Sequence, residues 1–280
     1  MKIVFWSNVR GQCGTTLHTA CIATIQALFG RKKVVLMENH DHLVNIETCF
    51  MKDRHCGNML HERGMYDAYG LGKLMDVFEK IQPGEEENII GRYVVNYLHN
   101  KLFYLPHGYV KNLDLLEYQL SNNMNKLFDY LDNHFDTVYI DTFSADGVGA
   151  RSMIENADIV VVNLNQNSNV LKHFFRNFSS IKGKCIYLLG NYYHNSRNSI
   201  LEIRRKYQIP EERIYAIPYC KEAAEAESQG NIAGFIAKNY LSPSIDNKEF
   251  IESLHDAYNG IMGFYSSSSE MPKLRGLSLM

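Results

Sequence analysis

Short apolar runs alternate along this chain with longer stretches in which apolar residues recur at helical spacing. The runs fall at 3–6, 34–37, 101–105, 137–140, 159–164, 185–189 and 214–217. They are rich in Val, Ile, Leu and Tyr, and several are apolar at consecutive positions. That pattern predicts strands buried on both faces, as in a parallel sheet. Between them, 15–29 carries Leu17, Ala20, Cys21, Ile25 and Leu28 at helical spacing, and 114–133 carries Leu116, Leu120, Met124, Leu127 and Leu131. A further helix is predicted over 247–263. Strand and helix in alternation predict an α/β fold: a doubly wound, mostly parallel sheet with helices on both faces.

Residues 41–100 break this rhythm. Gly57, Gly64, Gly70, Gly72, Pro83 and Gly84 interrupt them, and Glu85-Glu86-Glu87 reads as a solvated loop. They are expected to form an insertion of helices and loops within a single domain spanning 1–265. The serine run at 266–269 is low in complexity, so 266–280 is expected to be a disordered tail.

Composition adds exclusions. The 280 residues carry a net charge of −2 and are 45% hydrophobic, enough for a sizeable core without the basic excess of a general nucleic-acid binder. Arg204-Arg205-Lys206 is the tightest basic cluster and reads as a solvated helix face. The six cysteines form no C-x-x-C pair. His40, His42, Cys49, Cys56 and His61 follow no zinc spacing. No apolar run approaches the ~20 residues that span a bilayer, and the first run is too short for a signal peptide. A cytoplasmic protein is expected, peripheral at a membrane only through partners.

The candidate chemistry follows the first run. Asn8-Val9-Arg10-Gly11-Gln12-Cys13-Gly14-Thr15-Thr16 leads from a strand into a helix. Gly11 and Gly14 permit backbone angles that other residues resist. Amides at a helix N-terminus favour an anion, and a hydroxyl at Thr16 is placed to bind Mg²⁺. Two glycines three apart after a strand are, taken alone, more often the mark of a plain turn.

The loop resembles the deviant phosphate-binding loop of the MinD/ParA family of P-loop NTPases, usually K-G-G-x-G-K-T-T. Arg10 falls on the first, signature lysine, Gln12 on the second glycine, Thr15 on the second lysine and Thr16 on the Mg²⁺-binding position. The double departure is similar to the TadZ and CpaE pilus-assembly proteins, which commonly read R-G-G-x-G-A-S-T. The resemblance runs to about residue 240. Residues 136–142 look like the strand written Y-D-x-I-I-I-D-T, which implies that Asp141 helps hold Mg²⁺. Residues 157–162 resemble A-D-x-V-x-x-V. Leu188-Leu189-Gly190-Asn191 resembles the strand whose asparagine reads adenine, and Ile217-Pro218-Tyr219 the stretch whose backbone touches the base.

The resemblance implies binding of ATP or ADP with Mg²⁺ by Arg10, Gly11, Gln12, Cys13, Gly14, Thr15, Thr16, Asn191 and Pro218. Where relatives continue D-x-D-P-Q, this chain has Glu38-Asn39-His40-Asp41-His42. Glu38 replaces a carboxylate, and His40 stands in place of the water-activating aspartate. With the lysine also missing, the resemblance implies slow hydrolysis at most, with Glu38 and His40 as candidate catalytic groups. It further implies a nucleotide-dependent homodimer that positions a pilus or secretion apparatus. TadZ and CpaE proteins often carry a receiver-like domain ahead of the ATPase domain; this chain opens on the first strand, so targeting by such a domain is not expected. Two alternatives stand: a pseudo-ATPase scaffold that binds no nucleotide, marked by Gln12 and Thr15 closing the loop onto Arg10, and a ParA-type DNA-partitioning ATPase.

Overall fold

The computed structural model describes residues 1–40, 45–51, 70–78, 80, 89–108, 110, 112–142 and 147–270. Eight strands form one sheet: β1 (Lys2–Trp6), β2 (Val34–Asn39), β3 (Val95–Leu98), β4 (Leu102–Leu105), β5 (Thr137–Thr142), β6 (Ile159–Leu164), β7 (Cys185–Tyr192) and β8 (Ile214–Pro218). Their order is β3-β4-β2-β5-β1-β6-β7-β8. Every pairing is parallel except β3 with β4. The seven apolar runs each became a strand of this sheet.

The helices are α1 (Thr15–Leu28), α2 (Ile46–Phe50), α3 (Leu71–Phe78), α4 (Leu113–His134), α5 (Val148–Asn156), α6 (Ser168–Asn177), α7 (Ile200–Tyr207), α8 (Lys221–Ser228), α9 (Ile232–Asn239) and α10 (Lys248–Glu270). They divide between the two faces. Leu74 of α3, Leu127 of α4, Met153 of α5 and Phe174 of α6 bury against one face with Val35 and Ile140. Ile22 of α1, Ala223 of α8, Ile236 of α9 and Leu254 of α10 bury against the other with Leu36 and Tyr139. Successive strand residues point to opposite faces, so strands with a core on each side need unbroken apolar runs.

The insertion departs from its expected form. Alongside α2 and α3 it holds β3, an antiparallel edge strand. His99 and Asn100, both at positive φ (35° and 61°), turn β3 back onto β4, and the Lys101 amide donates to the Leu98 carbonyl at 2.6 Å. Two left-handed residues match the twist of a two-residue hairpin, and Asn100 is the residue type that tolerates it. Tail residues 266–270 are also helical, as the end of α10. The hydroxyls of Ser266 and Ser267 donate to the carbonyls of Met262 and Gly263, so the serines are accommodated inside the helix. Among the described residues, no helix is long and apolar enough to cross a membrane.

β1 lies between β5 and β6. The chain leaves it for β2 on one side and later returns to β6 on the other. Sheets of this kind open a crevice beyond the carboxyl ends of the strands at such a reversal.

Candidate functional site

A cavity of about 430 Å³ occupies that crevice. Its lining comes from the loop after β1 (Arg10, Gly11, Gly14), the start of α1 (Thr15, Thr16, His18), the tips of β2 and β5 (His40, Asp141, Thr142), and Asn191, Pro218 and Glu227. Gly11 and Gly14 are left-handed, with φ of 63° and 67°. Gly14 is the N-cap of α1 and offers no side chain, so no side-chain oxygen satisfies the first amides of the helix. A Cβ at Gly11 would meet nothing within 4 Å, so the loop is open there. An uncapped helix N-terminus behind a glycine loop is a place for an anion.

Gly190 holds the loop in place. A Cβ there would sit 2.1 Å from the Cys13 carbonyl oxygen, so β7 packs directly on the loop backbone and only glycine fits. The Asn191 Nδ2 donates to the Gln12 carbonyl at 3.3 Å, with Asn191 itself at φ 50°. The Gln12 side chain turns outward, its Oε1 accepting from Asn165 Nδ2 at 3.3 Å. The side chains of Gln12 and Cys13, two further residues of the expected nucleotide-binding set, therefore turn away from the cavity. Gln12 is engaged with Asn165 and Asn191, and Cys13 is buried, its thiol pushed up to about 11. Nor does Gln12 close the loop.

Arg10, Gly11, Gly14, Thr15, Thr16, Asn191, Pro218, His40 and Asp141 all line one space, as the sequence grouped them. Glu38 lies just behind it. Register puts Glu38 opposite Asp141 across β2 and β5. His40 Nε2 is 3.3 Å from Asp141 Oδ2 and 3.5 Å from Glu38 Oε1. The Ile46 amide donates to Glu38 Oε1 at 2.8 Å, and the Tyr104 hydroxyl to Oε2 at 2.5 Å. Asp41, His42, Cys56 and His61 lie outside the described residues. Arg204 and Arg205 pair with Glu211 and Glu202 at 2.9 and 3.3 Å, as a solvated helix face does.

No protein-family model matches the sequence, and no curated protein matches it. Solved structures do match. The ParA family ATPase from Chlorobium tepidum TLS superposes with a TM-score of 0.67 at 13% identity, over 92% of this chain and 98% of that one. MinD in the MinC:MinD cell division complex of Aquifex aeolicus gives 0.64 at 15%, over 94% and 96%. The septum site-determining protein MinD from Pyrococcus horikoshii OT3, complexed with Mg-ADP, gives 0.59 at 16%, over 99% and 98%. The chain has the MinD/ParA fold.

The charges of this cavity are few. Arg10, which is exposed, is the only lysine or arginine among the described residues that line it. Burial pushes the Glu38 carboxyl up to about 7; the Asp141 charge adds to this, while His40, Tyr104 and the Ile46 amide oppose it. Burial and Asp141 also push Glu227 up to about 6. His18 escaped the sequence reading. It sits one turn past Gly14 on the inner face of α1, and Asn163 Oδ1 accepts from its Nδ1 at 2.7 Å. Burial holds its imidazole down at about 4, against that bond. Thr142 was also missed: its Oγ1 is buried with no hydrogen-bond partner among the described residues, and the residue lines the cavity. The spacing of His18 from Gly14 marks one helical face, and Thr142 directly follows Asp141, but neither signal names a role.

A nucleotide with Mg²⁺ fits these residues. The uncapped amides of α1 and Arg10 suit phosphate oxygens, Thr16 and Asp141 offer hard oxygens for the ion, and Thr142 Oγ1 has a bond to make.

Proposed function

We propose that this chain binds ATP or ADP with Mg²⁺ in the cavity at the carboxyl edge of its sheet, and uses the bound state to govern self-association. The carrying observation is the uncapped N-terminus of α1 opening, behind two left-handed glycines, onto a 430 Å³ space that Thr16, Asp141, Asn191 and Pro218 also line. The loop amides and the Arg10 guanidinium hold the phosphates; arginine does so in a forked, permanently charged geometry. Thr16 and Asp141 hold Mg²⁺, which when bound neutralises phosphate charge. Asn191 and the backbone at Pro218 face the base. One donor of the Asn191 amide is engaged with Gln12, so adenine recognition uses the rest of that amide.

Turnover is slow or absent. Phosphoryl transfer works by positioning and charge stabilisation, and this loop lacks a lysine at Thr15. His40, at the position of the water-activating group, lies between two carboxylates and is nine-tenths buried. The protein acts as a dimerising positioning factor for a pilus or secretion apparatus; the likeness of its loop to those of TadZ and CpaE supports that setting.

Isothermal titration calorimetry with ATP–Mg²⁺, paired with light scattering for mass, tests this reading. The native protein is expected to bind and dimerise, and Arg10→Ala to bind about tenfold more weakly, about 1.4 kcal/mol. Native protein that binds neither ATP nor ADP overturns it and leaves the scaffold.

A further inference from the structure

We propose that Glu38, His40 and Asp141 form a three-ligand site for a borderline divalent transition ion of the zinc class, and that the site fills without nucleotide. Glu38 and His40 alternate at the tip of β2, and Asp141 stands opposite Glu38 on β5. One ligand atom from each lies within 4.8 Å of the others, and all three residues are buried. The two contacts of His40 Nε2, 3.3 Å to Asp141 and 3.5 Å to Glu38, have the right length for ligand edges. Zinc bonds of about 2.0–2.2 Å at tetrahedral angles require edges of roughly 3.3–3.6 Å.

Three further observations support the site. His40 and Asp141 both line the cavity, so a bound ion keeps an open position toward it. Thr142, whose buried Oγ1 has no hydrogen-bond partner among the described residues, follows Asp141 and lines the same cavity, a polar group beside the proposed ion. Glu38 is oriented from behind by the Tyr104 hydroxyl and the Ile46 amide, as outer-shell partners orient a metal-binding carboxylate. Two carboxylates against a doubly charged ion leave little net charge in a buried place.

The ion class follows from the nitrogen. Mg²⁺ takes oxygen ligands and keeps several waters, whereas imidazole suits zinc, cobalt, nickel and iron. The site shares Asp141 with the nucleotide reading, yet all three of its ligands are protein groups, so it does not depend on that reading.

The test is cobalt titration of the native, nucleotide-free chain, followed by calorimetry and visible absorption. One Co²⁺ per chain is expected, with a visible band that Zn²⁺ removes and a large excess of Mg²⁺ does not. His40→Ala is expected to lose the band. His40→Asp, which keeps a ligand but not the nitrogen, is expected to bind Co²⁺ at least tenfold more weakly. Tyr104→Phe is expected to keep the band with affinity reduced about 10–100-fold. Native protein that binds no Co²⁺, a band that persists in His40→Ala, or ready displacement by Mg²⁺ overturns the proposal. If His40→Ala does not fold, the native competition between Co²⁺ and Mg²⁺ and the His40→Asp variant decide. ATP binding is measured separately, so failure of the nucleotide reading leaves this result standing, and the reverse.

Discussion

Residues 34–37 and the pair Glu38 and His40 belong to the same stretch of β2 and its tip, and all are buried, but they act in opposite directions. Val34, Val35, Leu36 and Met37 are sealed between the two helical layers. Each removes apolar surface from water, which stabilises the fold by about 1.5–3 kcal/mol per side chain. Glu38 and His40 are buried with Asp141 at the mouth of the crevice. Burying ionisable groups costs stability unless they are paired or hold an ion. β5 repeats the change, from Val138, Tyr139 and Ile140 to Asp141 and Thr142, and the parallel register brings the two changes level. The strand bodies make the protein stable, and their tips hold buried ionisable groups that lower that stability.

The comparison breaks if the bodies affect binding or the tips carry the fold. Ile140→Ala empties a fully buried position on β5, so urea denaturation should show a loss of about 2–5 kcal/mol. The folded fraction should keep its nucleotide affinity. The next effect is on the order of 3 kcal/mol and comes from His18. Its imidazole stays neutral down to about 4 when folded, against the ordinary 6.5 that it regains on unfolding. Between these values the unfolded chain binds a proton that the folded chain refuses. The His18 contribution to stability should therefore be complete above pH 6.5 and be lost as the pH drops toward 4, while Glu38 and Glu227, raised in the fold to about 7 and 6, add the opposite slope in the same range. Denaturation of the native protein and His18→Asn across that window should differ by a pH-dependent amount, the native protein losing stability relative to the variant as the pH falls from 6.5 to 4.

Gly190→Ala sharpens the comparison, because this position joins body and site. Its Cβ would collide with the Cys13 carbonyl, so a stability loss of about 1–3 kcal/mol should accompany weaker nucleotide binding. Unchanged affinity in calorimetry would mean that the loop does not depend on its packing against β7. Thr16→Ala is the smallest, a pure tip effect. Stability should move by no more than about 0.5 kcal/mol, while Mg²⁺–nucleotide affinity falls about tenfold. Equal losses with and without Mg²⁺ would remove Thr16 from the ion.

The sequence alone determined the layered fold, because strands covered on both faces leave short apolar runs, and here these alternate with stretches of helical spacing. It also placed the loop between β1 and α1, since glycines at positive φ and a helix start are local features. Only the tertiary structure decided which of those residues share a space. Gln12 and Cys13 belong to the motif by order, but the direction of their side chains is set by contacts with Asn165, Asn191 and Gly190, more than 150 residues away in the chain. His18 and Thr142 entered the site by packing. β3 was hidden because an edge strand in a broken segment has no periodicity to announce it. The grouping of Glu38, His40 and Asp141 depends on the parallel register of two strands about 100 residues apart, a relation that local pattern does not encode.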